Sequence, residues 1–191
     1  MVMVLIGGCA LTNKSSESQS SDDQLNQLVS NIYKDGNYVF EDQPWLTSKE
    51  NVIKAKALNE AENMGNDRLM ADGVYPIDNS VKQVVIYNFE NDQLVSGEYL
   101  FSTPDKEHFA SLARELKVLF SSSLNEPMSN GLSLLDEVDA AAEQEIHVIW
   151  EGKDQSNLRL NVLTETHDGE TEYLLQIQSN SPRPEKKTLK P

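Results

Sequence analysis

Cysteine occurs once in the chain, at Cys9, so no intrachain disulfide can form. Histidine is almost as scarce. His108, His147 and His167 fall in different segments, and no two share the i, i+4 spacing that places a zinc pair on one helix face. Basic residues are in deficit, with 16 Lys and Arg against 31 Asp and Glu and a net charge of −15. Such a chain repels phosphate backbones, which sets nucleic acid aside as a partner. No apolar run approaches the roughly 18 residues of a membrane-crossing helix. A G-x-S-x-G elbow and a G-x-x-x-x-G-K phosphate loop are both missing. Asp35-Gly36-Asn37 and Asp168-Gly169-Glu170 lack the residue order of a calcium loop and read as turns. No catalytic residue, metal ligand or cofactor site is therefore assigned. What is present is a 38% hydrophobic fraction in 191 residues, enough for one domain with tails and too much for wholesale disorder.

The amino terminus is the most informative stretch. Met1 to Ile6 is a short apolar run, Gly7-Gly8-Cys9-Ala10 follows, and the composition then turns abruptly polar from Asn13 to Ser21. An apolar run closed by small residues is the physical form of an export signal. Ile6-Gly7-Gly8-Cys9 resembles the lipobox of bacterial lipoproteins. That resemblance implies cleavage before Cys9 and acylation of its thiol and of the new amino terminus by palmitate-like chains. Each buried CH₂ then contributes about 0.8 kcal/mol of membrane affinity. The alternative is a buried cysteine in a terminal strand. An export signal needs a basic start and about 7–15 apolar residues; neither is found here, and the expectation is a signal that begins upstream of Met1. Ala10, rather than Asp, after the cysteine implies outer-membrane placement if the cell has two membranes.

The expected organisation is a signal remnant at 1–8, a lipid anchor with a Ser-rich tether at 9–23, one α+β domain at 24–178, and a basic disordered tail at 179–191. A flexible tether of this length reaches about 20 Å, taking ~5–6 Å times the square root of the residue number. Leu25, Leu28, Val29 and Ile32 have helical spacing up to the stop at Asp35-Gly36-Asn37. Thr47 and Glu50 have the spacing of a capping box, predicting a helix from there to about Asn63 with Val52, Ile53, Ala57, Leu58 and Ala61 inward. Strands are expected near 68–76, 82–89 and 93–102, the last two joined at Glu90-Asn91-Asp92. A second helix opens at Thr103-Pro104-Asp105, with Pro104 at its first position and Phe109, Leu112, Ala113, Leu116, Leu119 and Phe120 on its buried face. Residues 128–143 read as loop with a helical turn. Three more strands, near 144–151, 157–166 and 170–178, complete the pattern, with a tight turn at His167-Asp168-Gly169.

The chain thus reads twice as a helix followed by three strands. That order argues for an α+β fold, an antiparallel sheet with helices packed on one face and water on the other. Together with Pro44-Trp45-Leu46-Thr47-Ser48-Lys49-Glu50, it resembles BamE/SmpA-type envelope lipoproteins and β-lactamase-inhibitor-protein-like folds, and implies no functional residue. Trp45 and Trp150 are candidate partner contacts, since tryptophan is a favoured interface anchor; the competing assignment packs Trp45 on the helix it introduces and Trp150 in the sheet core. Glu143/Glu145 and Glu170/Glu172 have period-two spacing but lie beside turns, and read as solvated strand edges rather than a paired acid and base. The expected function is a membrane-anchored, non-enzymatic protein-binding or accessory domain of the envelope, its partners the bilayer and an envelope protein. The alternatives are an envelope hydrolase and a carrier of small ligands.

Overall fold

The computed structural model describes residues 21–58, 62–63, 65, 67–73, 81–137 and 146–182. Cys9 and the tether before Ser21, Ala61, Glu143, Glu145 and the basic residues after Pro182 lie outside the described residues, as does the side chain of His167.

Helix α1 (Ser21–Ile32) runs into a small hairpin of β1 (Tyr33–Lys34) and β2 (Asn37–Tyr38). Helix α2 (Lys49–Lys56) precedes β3 (Glu62–Asn63), β4 (Arg68–Asp72), β5 (Lys82–Glu90) and β6 (Gln93–Thr103). Helix α3 (Lys106–Ser123) and a 3₁₀ segment (Asn130–Glu137) precede β7 (Ile146–Glu151), β8 (Asn157–His167) and β9 (Glu170–Asn180). The main sheet has seven strands in the order β3-β4-β5-β6-β9-β8-β7, every described pair antiparallel. The fold is α+β. Two meanders, β4-β5-β6 and β7-β8-β9, meet along their final strands β6 and β9.

Both long hairpins close through turns whose central residues sit at positive φ: Asn91 and Asp92 at 51° and 63°, Asp168 and Gly169 at 53° and 88°. Asn, Asp and Gly tolerate that region best, and its twist matches the flanking strands. Alternation then decides the faces. Val85, Tyr87, Phe89, Tyr99, Phe101, Leu158, Leu160, Val162, Leu175 and Ile177 point inward and join Leu28, Ile32, Val52 and the apolar stripe of α3 in one core. Phe120 meets Trp150 edge to face at 5.7 Å between ring centroids, and Phe109 meets Tyr173 at 5.4 Å. Phe40 lies over Gly97, where a Cβ would come within 2.0 Å of its ring.

The sequence reading of α2 was too long. The helix ends at Lys56 because Ala57 turns left-handed at φ 53°, and Glu62–Asn63 is a strand. The capping box does not form. Thr47 Oγ1 donates to the Pro44 carbonyl, and Ser48, the residue at the cap position, makes no side-chain cap bond while its backbone bridges Gln93. The Lys49 N–H is taken instead by Asp92 Oδ1 from the β5–β6 turn, at 3.2 Å. In α3 the cap is Asp105, whose side chain accepts from the Glu107 and His108 N–H groups; Pro104 stands before it, outside the helix. Strand β9 continues to Asn180, past the expected boundary, because the Ser181 N–H still donates to the Val95 carbonyl at 2.9 Å.

Candidate functional site

The helical core residues all join the cluster on one side of the sheet. Ile86 and Leu174, buried apolar side chains that point the other way, are not part of it. Among the described residues no helix packs on this second face, and strand pairing fixes its layout as rows across the sheet. One row reads Glu151, Asn157, Asn180, Ser96, Asn88 and Arg68. The next reads Ile149, Arg159, Gln178, Glu98, Ile86 and Met70, and a third His147, Asn161, Gln176, Leu100, Val84 and Asp72.

At its centre Glu98 is only 6% exposed. Its carboxylate accepts from Asn88 Nδ2, Gln176 Nε2 and Gln178 Nε2. Gln176 Oε1 in turn accepts from Asn161 Nδ2 at 2.7 Å, and Asn161 Oδ1 lies 2.8 Å from His147 Nδ1. Neutral amide donors therefore surround a buried carboxylate, with Gln176 held in turn by Asn161 and Asn88 by Ser96, so the face presents set polar positions. Spacing in single strands reveals which residues face outward. It cannot reveal this network, which spans three rows, because Asn88, Glu98, Gln176 and Asn161 become neighbours only through the order β5-β6-β9-β8.

At one end of the face lies an open groove of about 570 Å³, lined by Arg159, Asn157, Asn180, Ser96, Ser181, Pro182, Val95, Gln93, Asn91, Glu90 and Leu46. Arg159 Nε is buried and has no hydrogen-bond partner, and among the described residues nothing pairs with this guanidinium. Leu46 is 56% exposed although its backbone holds φ 68°, a conformation that a branched side chain resists.

The candidates taken from sequence fall elsewhere. Trp150 is fully buried against Phe120 in the core and cannot anchor a partner, a correction that follows from its inward position on β7. Trp45 is half-buried, packs on the core and donates from Nε1 to the Tyr38 carbonyl at 3.0 Å. Glu170 and Glu172 are exposed at the start of β9, an interior strand, so the pair lies at a strand end rather than on a sheet edge. His108 and His147 are exposed on α3 and β7. Among the described residues no group of three His, Cys, Asp or Glu side chains could hold a metal ion.

Among the described residues a second buried carboxylate, Glu41, is structural in its contacts. Glu41, 6% exposed, accepts from the Tyr99 hydroxyl and pairs with Lys56, tying α2 to β6. Compared with known proteins, the chain matches no family model, no curated sequence and no solved structure.

Proposed function

We propose that the protein is an envelope lipoprotein, held to a membrane through acylated Cys9, whose second sheet face, on which no described helix packs, binds another envelope protein without catalysis. The observation that carries the binding role is the second face itself. Its buried carboxylate is fully engaged by amides, and its groove holds an arginine that no described residue pairs with. Preformed polar positions flanked by Ile86, Leu100 and Leu174 are what a specific protein contact uses: a few oriented hydrogen-bonding groups within an apolar surround. The lipobox-like Ile6-Gly7-Gly8-Cys9 supports the anchor, and the polar stretch behind it supports a tether long enough to hold the domain off the bilayer.

Photo-crosslinking in the native cell tests this reading. A photoreactive residue at Asn161 or Gln178 on the face should capture one defined partner. The same probe at Val118, 69% exposed on α3, should not. Equal capture from both sides, or none from the face, would set the reading aside.

A further inference from the structure

We infer that the groove around Arg159 is a carboxylate-recognition site, taking an acidic group of a peptide segment with an apolar residue beside it. The inference rests on the proposed binding role of this face and names the chemistry of what it binds.

The groove opens beside a cation that no described residue pairs with. Arg159 sits between Ile149 and Gln178 across the strands and lines the groove; its Nε is buried without a partner, so its terminal amino groups are the donors available to the two oxygens of a carboxylate. Asn157 supplies a further donor. Its Oδ1 accepts from Asn180 Nδ2 at 3.0 Å, which leaves the Asn157 N–H₂ without an acceptor among the described residues.

Leu46, Val95 and Pro182 add apolar surface to the lining. The left-handed backbone of Leu46, which keeps an exposed leucine at the rim, is the kind of local strain found where a side chain is positioned for contact. Charge argues for a monoanion over phosphate. Arg159 is the one basic residue among the described residues lining the groove, the chain carries a net charge of −15, and Glu90 lines the same groove, so a second negative charge on the ligand would be repelled.

The test is a titration of the ¹⁵N-labelled full chain, followed at the Arg159 Nε–H signal and the backbone amides of Val95 and Ser181. The probes are Ac-Ala-Leu-Val with a free carboxylate, the same peptide as its amide, Ac-Leu-Asp-amide, and inorganic phosphate. At least one of the two carboxylate probes should shift these signals saturably, and which one does tells a chain terminus from an acidic side chain. Arg159→Gln should weaken that binding about tenfold, as loss of a charge-assisted hydrogen-bond pair requires. An equal response to the amide peptide or to phosphate would overturn the inference, as would silence from both carboxylates. The comparison among probes on the unmodified chain needs no variant to fold. If the carboxylates fail while crosslinking still maps a partner to the face, only this inference falls; if they bind but no partner is captured there, the binding-domain reading falls instead.

Discussion

Gly97 and Tyr38 show how single residues set the tolerances of this core. Both are buried, and Gly97 faces the Phe40 ring, itself packed between Tyr87 and Tyr99. Gly97→Ala should destabilise the fold by about 3 kcal/mol, the upper end for an overpacked site; an unchanged denaturation midpoint would contradict that contact. Tyr38 donates to Asn125 Oδ1 at 2.6 Å, and burial, with a smaller contribution from nearby Tyr33, pushes its phenol well above the usual 10.0. Tyr38→Phe should therefore lose about 1 kcal/mol near neutral pH. The folded value is raised, so this stability is fully present below pH 10 and drains away as pH climbs past it, because the unfolded tyrosine ionises first. The gap between the native chain and Tyr38→Phe should narrow above pH 10, by up to about 1.4 kcal/mol per pH unit, so that the difference of about 1 kcal/mol is gone by about pH 11. Urea denaturation at pH 8, 10 and 11 measures it, and a gap independent of pH would refute the assignment.

At the scale of elements, sequence periodicity located α1, α3 and β5 to β9 closely, because each is long enough for its apolar spacing to be unambiguous. It failed at α2, where a good local capping pattern was overridden by the β5–β6 hairpin. Thr47 turned to Pro44, and Asp92 supplied the cap from 43 residues away. Such a long-range cap leaves no local trace. The two helices should respond differently to substitution. Asp105→Ala should cost about 1 kcal/mol, as for an ordinary N-cap. Ser48→Ala should be close to neutral, and Asp92→Ala should destabilise the domain through a helix to which it does not belong. Thermal melts of the three variants decide it, and a Ser48→Ala loss equal to that of Asp105→Ala would show that Ser48 does cap α2.

For the whole molecule, the α+β class was legible from the order of helices and strands, and the division of the strands into polar and apolar sides from alternation. Leu158, Leu160 and Val162 against Arg159 and Asn161 is the clearest case. The candidate site was not legible, since Glu98, Gln176, Asn161 and Arg159 read individually as ordinary polar strand residues, and only the strand order gathers them. Support for the proposed anchored binding domain is therefore divided: the face comes from tertiary structure, and the proposed tether and lipid rest on Ile6-Gly7-Gly8-Cys9 and the polar run behind it. Intact mass spectrometry of the chain isolated from its own cells tests the anchored state most directly. The expected result is a polypeptide that begins at Cys9 and carries the added mass of two or three acyl chains, recovered with membranes; a chain retaining the residues before Cys9, with a free thiol and recovered from the cytosol, would contradict it.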